Sequence, residues 1–489
     1  MLDQNQAPLV EALREAAGKP HAPFYAPGHK GGRGIPRPLA DLFGGAVFTA
    51  DLPELPELDN LFAPEGPILE AQQLAAAAFG ATKTWFLVNG STAGVAAAIL
   101  ATSGSEDKII LPRNVHKSAI SGLILSGAVP IFINPEYDSH WDLTCRVTPS
   151  SLSAALEKYP DAKAAMLVSP TYEGVCSDVG AVAEIAHRHD IPLLVDEAHG
   201  AHFAFHPELP TPALAAGADL AVQSIHKVLG AMTQASMLHI RGDRLDADRL
   251  NQALSLLQSS SPSYLLLASL DAARQQMALD GFALMSRTLQ LAEDARKRIS
   301  LIPGLSVLEL AGGLEELDPT RLTVKVSDLG LTGYEADEIL HRDLGVTCEL
   351  PGLKCLTFII SLGNTAADID RLVQALETLA AKGDFYTSNF PRRTGKMPVI
   401  RPPSSSIVSP TVSPRTAFFA DKETLPVSEC VGRISGESIC PYPPGIPVLM
   451  PGEAIATATV EFLQQLLAGG AIITGCSDPT LQTLKVLCG

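Results

Sequence analysis

Positive charge is scarce in this chain of 489 residues, which holds 36 Lys and Arg against 53 Asp and Glu and has a formal net charge of -17 at pH 7. Proteins that bind duplex nucleic acids rely on Lys and Arg to neutralise phosphates, so this deficit argues against a nucleic-acid partner. An acidic protein attracts small cations, although acidity is also common because it keeps proteins soluble. The charge balance therefore excludes one class of partner and leaves the choice of small ligand open.

Long apolar runs and paired cysteines are also missing. No stretch reaches the roughly 20 apolar residues that cross a bilayer, and the N-terminus is amphipathic rather than basic and then apolar. The eight cysteines form no CxxC pair, and the neighbouring histidines His199, His202 and His206 match no standard zinc spacing. We therefore expect a cytoplasmic protein with reduced thiols, no membrane partner and no bound metal.

Apolar residues make up 46% of the chain and charged residues 18%, which is an ordinary globular composition. Between about residues 82 and 240, short apolar strands alternate with amphipathic helical stretches. This alternation predicts an α/β fold with a mainly parallel sheet and helices on both faces. The predicted strands are 84–88, 108–111, 130–133, 164–168, 192–195, 220–223 and 236–240.

The chain length and the later segments predict several domains. A helical connection at 262–302 leads to a small α+β region with strands at 322–326 and 357–361 and helices at 334–344 and 366–381. A segment rich in Pro, Ser and Arg follows, and then a turn-rich unit with a helix at 454–468. The predicted regions are an N-terminal arm at 1–65, a large domain at 66–275, a small α+β domain at 276–385, a linker at 386–415 and a C-terminal α+β domain at 416–489.

Polar residues follow two of the predicted strands, at the edge where open α/β sheets bind ligands. Gly90, Ser91 and Thr92 open a helix whose N-terminus favours an anion such as phosphate, although these residue types are also ordinary helix caps. Asp196 ends an apolar strand, where a carboxylate needs a cation or hydrogen-bond donors nearby. The letters DEAH that begin there also occur in helicases, but the chain lacks the GxxxxGK[ST] loop that a helicase requires.

A lysine follows a third predicted strand in the sequence Ser224-Ile225-His226-Lys227. At the mouth of a largely apolar pocket, desolvation lowers the pKa of an amine and makes it a nucleophile toward an aldehyde. A solvated surface lysine is the alternative. The phosphate-type helix start, the aspartate and the lysine occur in this chain order, each at a strand end, and this coincidence indicates one shared site.

These motifs resemble the Orn/Lys/Arg decarboxylase family of fold-type-I, aspartate-aminotransferase-like enzymes that use pyridoxal 5′-phosphate (PLP). The resemblance covers nearly the whole chain and is greatest to the short form without an N-terminal wing domain, typified by bacterial arginine decarboxylases. Further motifs that carry it are PFYAPGHKGG at 23–32, NGST at 89–92, HKS at 116–118, PTY at 170–172, PYPPGIP at 441–447 and PGE at 451–453.

The resemblance implies decarboxylation of a basic L-amino acid, with arginine favoured over lysine and ornithine, in a homodimer with a shared active site. Lys227 would hold the PLP aldehyde, Asp196 would pair with the ring nitrogen, and His116 would stack on the ring, although by itself it could be a core histidine. His226 or Lys227 would move the proton. The other implied cofactor contacts are Gly90, Ser91, Thr92, His199, Ser224 and His226, with Ser260 and Ser261 from a neighbouring subunit. The implied substrate contacts are Glu453, Tyr25 and His29.

Two departures and two other functions accompany this interpretation. Asp59-Asn60 stands where the family often has paired acidic residues, and the segment 391–414 is unlike the family's shorter connection. An aminotransferase or aldolase-like enzyme would use Arg321 or Arg342 for the substrate carboxylate, and neither lies in a convincing motif. A PLP-binding protein without catalysis is the remaining hypothesis, and the intact lysine and aspartate argue against it.

Overall fold

A computed structural model describes residues 2–309, 316–382, 407–442 and 445–488. The chain divides into two compact units, the first made of residues 1–101 and 196–285 and the second of residues 102–195 and 286–489. Most of the predicted linker, up to residue 406, and the pair Pro443 and Pro444 of the PYPPGIP motif lie outside the described residues. No helix in the described ranges is long and apolar enough to cross a membrane.

The helices are labelled here in chain order. They are α1 (Pro8–Gly18), α2 (Arg37–Phe43), α3 (Ala46–Ala50), α4 (Pro67–Phe79), α5 (Gly90–Thr102), α6 (Lys117–Ser126), α7 (Pro149–Lys158), α8 (Val179–Arg188), α9 (Ala213–Ala216), α10 (Ile225–Val228), α11 (Ala247–Leu257), α12 (Tyr264–Ser300), α13 (Gly333–Ile339), α14 (Ala366–Ala381), α15 (Pro414–Phe419) and α16 (Thr457–Gly469).

The strands are labelled in the same way. They are β1 (Lys83–Leu87), β2 (Lys108–Pro112), β3 (Val129–Ile133), β4 (Tyr137–Asp138), β5 (Leu143–Thr144), β6 (Ala164–Val168), β7 (Leu193–Asp196), β8 (Leu220–Gln223), β9 (Ser236–Ile240), β10 (Ser306–Val307), β11 (Arg321–Lys325), β12 (Leu350–Pro351), β13 (Cys355–Ile359), β14 (Ile407–Val408), β15 (Lys422–Pro426), β16 (Cys440–Tyr442), β17 (Ile472–Thr474) and β18 (Thr483–Leu487).

In the first unit, β1, β9 and β8 are neighbouring strands of a sheet, in that order. β9 runs antiparallel to both neighbours, and His239 lies opposite Thr84 on one side and Ala221 on the other. All residues of β8 and β9 are buried, as strands covered on both faces should be. These buried strands give the loops at their ends a rigid base.

Asp59 explains why the chain turns into α4. Its Oδ2 accepts main-chain N–H bonds from Gly66 at 2.8 Å and Ile68 at 3.1 Å, so the carboxylate caps the first turn of the helix. The helix ends at Phe79, and Gly80 follows as a left-handed cap with a φ of +70°. The departure from paired acidic residues at Asp59-Asn60 therefore leaves this aspartate with a structural role.

The N-terminal arm of the first unit is held by a buried ion pair on α12. Asp271 and Arg274 form a salt bridge, and both side chains are 0% exposed. Asp271 accepts the N–H of Leu9 at 3.0 Å, and Arg274 donates to the carbonyls of Gln4 at 3.1 Å and Gln6 at 2.8 Å. A charged pair this deeply buried is tolerated because the arm's backbone supplies several further hydrogen bonds to it.

In the second unit, β7 up to Val195, β6, β2, β3 and β14 are neighbouring strands, in that order. β2 is parallel to β3 and to β6. Ile407 and Val408, at the end of the predicted linker, form β14 and run antiparallel to β3. This end of the linker is therefore an edge strand.

Two smaller regions complete the second unit. The order β10-β11-β13-β12 forms an antiparallel sheet, and Leu322, Val324, Leu356 and Leu376 belong to its buried core. In the C-terminal region β15 pairs with β18 and β16 pairs with β17. Both regions mix helices and strands, in agreement with the α+β character that the sequence predicts.

The seven strands predicted between residues 82 and 240 are confirmed as β1, β2, β3, β6, β7, β8 and β9. The sequence pattern did not reveal the reversed direction of β9, because burial on both faces removes any signal of direction. The strand predicted at 357–361 begins two residues earlier in the structure, as β13, and the helix predicted at 334–344 ends as a π-helical turn over Leu340–Leu344.

Candidate active site

Lys227 lies in α10, the single helical turn after β8, and its amine is 2.8 Å from Nε2 of His199. His199 is only 3% exposed. An ammonium group can only donate, so Nε2 accepts and the proton of a neutral His199 lies on Nδ1. The structure thus places a histidine lone pair beside the amine that the sequence identifies as the nucleophile.

Asp196, at the end of β7, is 7% exposed, and its Oδ1 accepts the N–H of Ala198 at 3.2 Å. Burial raises the pKa of Asp196, while the positive charge of Lys227 and the Ala198 bond oppose the rise. A buried carboxylate of this kind is stabilised by a cation brought to it. A protonated ring nitrogen fits that requirement.

Two serine hydroxyls meet at the start of α5. Ser224 Oγ donates to Ser91 Oγ at 2.8 Å, and Thr92 is exposed one residue further on. Gly90 opens the helix with a φ of +75°, a conformation that other residues adopt only with strain. Hydroxyls beside the first N–H groups of a helix make a suitable phosphate site.

A chain of buried polar side chains, which the sequence analysis missed, lies next to these residues. Gln223 donates to Glu197 at 2.8 Å, and its oxygen is 3.1 Å from His239 Nε2. His239 Nδ1 is in turn 2.8 Å from Thr84 Oγ1. In the sequence, Thr84, Gln223 and His239 are polar residues within mostly apolar strands, and this pattern could have indicated buried hydrogen bonds.

His226 lies in α10 directly before Lys227, and its side chain is half-buried. Burial and the charge of Lys227 lower the pKa of His226, so the ring is neutral at pH 7 and able to accept a proton. Its main-chain N–H donates to Ala235 at 3.2 Å, which closes the turn between β8 and β9. The structure therefore brings His226, Lys227 and His199 together within the first unit.

His116 lies in the second unit, where its side chain caps α6. Nδ1 accepts the N–H of Ser118 at 3.2 Å. Nε2 lies 3.6 Å from the point where a side chain on Gly445 would begin. A side chain at 445 would therefore only touch the ring of His116, and glycine is favoured there by its φ of +86°.

Tyr25 and His29 lie in the N-terminal arm, and both are half-buried. The ring of His29 has partners at both nitrogens: Nε2 is 3.1 Å from Asp51 Oδ2, and Nδ1 accepts the N–H of Gly32 at 3.2 Å. The imidazole is thus oriented by the arm itself. Any substrate contact of His29 would have to replace or share one of these bonds.

Ser260 and Ser261 are exposed in the loop before α12. The Ser261 N–H donates to Ser259 Oγ at 3.1 Å, and the Ser259 N–H donates to Asn89 Oδ1 at 3.4 Å. The serine loop therefore starts beside the residue that precedes Gly90. Its exposed hydroxyls are accessible to another molecule.

The sequence matches two family descriptions in succession. Residues 7–313 match "Orn/Lys/Arg decarboxylase, major domain", and residues 401–477 match "Orn/Lys/Arg decarboxylase, C-terminal domain". The chain belongs to the Orn/Lys/Arg decarboxylase family. An arginine decarboxylase of Bacillus subtilis (strain 168) is 39% identical over 490 residues, which cover 99% of this chain and 99% of that protein. The resemblance inferred from the motifs is therefore confirmed.

Solved structures confirm the predicted fold class. Lysine decarboxylase A from Pseudomonas aeruginosa superimposes with a TM-score of 0.83 at 24% identity, over 98% of this chain and 80% of that chain. An alanine–glyoxylate aminotransferase from Nostoc sp. superimposes with a TM-score of 0.52 at 20% identity, over 64% of this chain and 86% of that chain. The decarboxylase thus shares the fold of nearly the whole chain, and the aminotransferase shares about two thirds of it.

Glu453 has a different environment in this family member from the one that the sequence suggests. Its Oε2 is 3.1 Å from Arg113 Nη2 and accepts the N–H of Met450 at 2.9 Å. Arg113 also donates to the carbonyls of Pro447 at 2.7 Å and Val448 at 2.9 Å. The predicted partner of a substrate cation therefore already has a protein cation, which the sequence analysis missed.

Neither arginine considered for an aminotransferase is placed like a substrate-binding group. Arg321 is 1% exposed, its Nε lies 3.7 Å from Asp318 Oδ2, and burial lowers its pKa. Arg342 is 56% exposed and pairs with Glu338 at 3.1 Å and with Asp343 at 2.9 Å on its own helix. One guanidinium is enclosed in the protein and the other lies on the surface.

No group of three His, Cys, Asp or Glu side chains within the described ranges is arranged to hold a metal ion. His206 Nδ1 accepts the N–H of Glu208 at 3.2 Å, and its ring stacks on Phe282. The ring of His202 packs against Phe203. These histidines thus take part in packing and local hydrogen bonds.

Proposed function

We propose that this chain decarboxylates L-arginine with PLP as its cofactor. Membership of the Orn/Lys/Arg decarboxylase family supports a basic amino acid as the substrate. The match to an arginine decarboxylase over 99% of the chain favours arginine over lysine and ornithine. The observation that carries the proposal is the amine of Lys227, held 2.8 Å from His199 in the unit that also contains Asp196.

The residues present fit this cofactor. Lys227 would bind its aldehyde, and Ser91, Thr92, Ser224 and the N–H groups at Gly90 would hold its phosphate. When bound, PLP supplies an electron sink for the charge left at the α-carbon as CO2 departs. The buried carboxylate of Asp196 would keep the ring nitrogen protonated, because a cation there relieves the cost of burying the aspartate.

Proton transfer would depend on histidines and the lysine. The lone pair of His199 is placed to take a proton from the ammonium of Lys227, which leaves the amine reactive. Lys227 in its ammonium form, or His226 after it has taken up a proton, would then deliver a proton to the α-carbon. The ring of His116, fixed by its bond to Ser118, would stack against the cofactor.

The substrate contacts that we propose are Tyr25, His29 and Glu453. Support for Glu453 is the weakest, because Arg113 already neutralises its charge. The imidazole of His29 is oriented by Asp51 and Gly32, so its position is defined before substrate arrives. The basic character of the substrate thus rests mainly on the family match.

We also propose a homodimer in which Ser260 and Ser261 reach the neighbouring active site. Apolar side chains are exposed on the N-terminal arm: Phe24 is 96%, Leu42 71% and Phe43 58% exposed. Clusters of exposed apolar side chains of this kind commonly mark interfaces. Sedimentation of the purified protein should therefore give twice the chain mass.

The test is CO2 release by purified protein with PLP from arginine, lysine and ornithine in turn. We expect release from arginine, and Lys227→Ala should lower turnover by at least about a thousandfold, because the covalent contact is lost. The control is Lys297→Ala, which removes a lysine paired with Glu293 on the surface of α12 and should leave turnover unchanged. Transfer of the amino group to a keto acid without CO2 release would contradict the proposal.

A further inference from the structure

The buried polar chain beside the candidate site is unusually complete. Thr84, Glu197, Gln223 and His239 are each at most 3% exposed. Every hydrogen bond between their side chains is between 2.8 and 3.1 Å long. The far oxygen of Glu197 accepts the N–H of Ala213 at 2.7 Å, so both carboxylate oxygens are bonded.

The hydrogen bonds of this buried polar chain can run in only one donor-to-acceptor direction when Glu197 is ionised. The amide nitrogen of Gln223 donates to the carboxylate, so its oxygen must accept from His239 Nε2. His239 Nδ1 is then bare and accepts from the hydroxyl of Thr84. Burial lowers the pKa of His239 to about 3, which agrees with a neutral ring.

Both ends of the Gln223 to Glu197 bond adjoin proposed cofactor residues. Glu197 follows Asp196 directly, and Gln223 directly precedes Ser224. The Glu197 N–H also donates to the carbonyl of Val222 at 2.9 Å, which ties the same two segments through the main chain. A shift of the Gln223 side chain would therefore move the residues that would meet the ring nitrogen and the phosphate.

We propose that Glu197, Gln223 and His239 are positioning residues that fix the main chain at Asp196 and Ser224 for binding of the cofactor. This inference rests on the proposed function, because the position of these two residues matters only if the cofactor binds there. The chain lies in the core and touches neither substrate nor cofactor. Its effect is to hold the site residues to within the small tolerance that catalysis allows.

The first experiment compares Gln223→Leu with Thr84→Val in the full-length protein. Gln223→Leu removes the central link, whereas Thr84→Val removes the donor that is furthest along the chain from Asp196. We expect the PLP dissociation constant to rise about tenfold or more for Gln223→Leu and less than about threefold for Thr84→Val. Circular dichroism of the bound cofactor, measured at saturating PLP, should change only in Gln223→Leu.

A matched control separates positioning from stability. The Thr323 and Thr357 hydroxyls form a buried 2.8 Å bond in the small antiparallel sheet. Thr357→Val should lower the melting temperature about as much as Thr84→Val and leave the PLP dissociation constant unchanged. If Gln223→Leu does not fold, Gln223→Glu keeps the acceptor for His239 but places a second acceptor opposite Glu197, and the same rise is expected.

The conservative variant Glu197→Gln tests the chain itself. Gln at 197 can keep every bond if the chain reverses: it donates to Gln223, Gln223 donates to Nε2 of His239, and Nδ1 donates to Thr84. Burial raises the pKa of Glu197 to about 7, so the spectra are recorded at pH 9, where this carboxylate is ionised. Nitrogen-15 spectra of histidine-labelled protein should then show the His239 proton on Nε2 in the wild type and on Nδ1 in Glu197→Gln. The His239 signal is assigned by its loss in His239→Gln.

The outcomes distinguish the two proposals. If the wild type binds PLP and releases CO2 while Gln223→Leu binds PLP with unchanged affinity and dichroism, the positioning role is wrong and the proposed function stands. A proton on Nδ1 in the wild type would also contradict the bond direction that the role requires. If the wild type neither binds PLP nor releases CO2, the proposed function fails first and the positioning role fails with it.

Discussion

Two buried carboxylates, one in each unit, differ in whether the protein supplies their counter-charge. Asp196 accepts the N–H of Ala198, and burial raises its pKa despite the nearby charge of Lys227. Glu453 has a guanidinium at 3.1 Å, and its side chain is 11% exposed. The first carboxylate is therefore held in an unfavourable state, and the second is neutralised within its own unit.

This difference concerns how much each carboxylate would gain from a ligand of opposite charge. A charge that the fold leaves only partly compensated destabilises the protein by itself and is stabilised when a ligand brings the opposite charge. When the fold already compensates a charge, removing either partner destabilises the protein, and the charge gains little from a ligand. Replacing each carboxylate by its amide should therefore have opposite effects on stability and on function.

Asp196→Asn should produce the largest effect. The amide cannot hold a proton on the ring nitrogen of PLP, so we expect kcat to fall by about a thousandfold. Because burial raises the pKa of Asp196, its ionisation destabilises the folded protein as the pH rises above the pKa of the unfolded chain. The loss of stability is complete above the raised pKa. The neutral variant should consequently unfold at the same or a higher temperature than the wild type at pH 8, when both lack PLP.

The control for this prediction is Asp219→Asn, at the beginning of β8. Asp219 is also buried, at 5% exposure, and it pairs with Arg244 at 3.6 Å. It lies at the opposite end of the strand from Ser224, so kcat should change by less than about twofold. Equal losses of kcat in both variants would mean that Asp196 acts through general folding.

The sequence predicts Asp196 and Lys227 as site residues because each is a polar residue at or just after the end of an apolar strand, and parallel strands bring such ends to one edge. It did not reveal Arg113 as the partner of Glu453. The two residues are 340 positions apart, and no local pattern links them. The same reason hid the contacts of Gln223 and His239, which require the register of β8 and the reversed β9 to be known.

Removing the charge of Glu453 should have an intermediate effect. Glu453→Gln leaves Arg113, itself 18% exposed, without its counter-charge, so the free energy of unfolding should fall by about 2 kcal/mol. Arg113→Met should cost more, because the bonds to Pro447 and Val448 are also lost. The double variant should show a coupling of about 1 to 2 kcal/mol between the two side chains in denaturant unfolding.

Steady-state kinetics with arginine as substrate decide whether Glu453 has a role besides its pairing with Arg113. If the carboxylate serves only Arg113, then Glu453→Gln and Arg113→Met should change KM and kcat by the same small factor. A rise in KM of more than about tenfold in Glu453→Gln alone would instead identify a substrate contact. Arg296→Met is a suitable control, since Arg296 likewise donates to two carbonyls, of Leu308 and Arg321, in the small domain.

Arg342→Ala should have the smallest effect, and it tests whether Arg342 binds the substrate carboxylate. Arg342 is 56% exposed and pairs with Glu338 four residues earlier, and such a surface pair contributes less than about 0.5 kcal/mol to stability. Arg342, like Glu453, has its charge compensated by a neighbouring side chain. We therefore expect CO2 release by Arg342→Ala to remain within about twofold of the wild type. An arginine that bound the substrate carboxylate would raise KM by about a hundredfold when removed, because a charge-assisted contact would be lost. Steady-state measurement of CO2 release therefore decides whether Arg342 belongs to the surface or to the substrate.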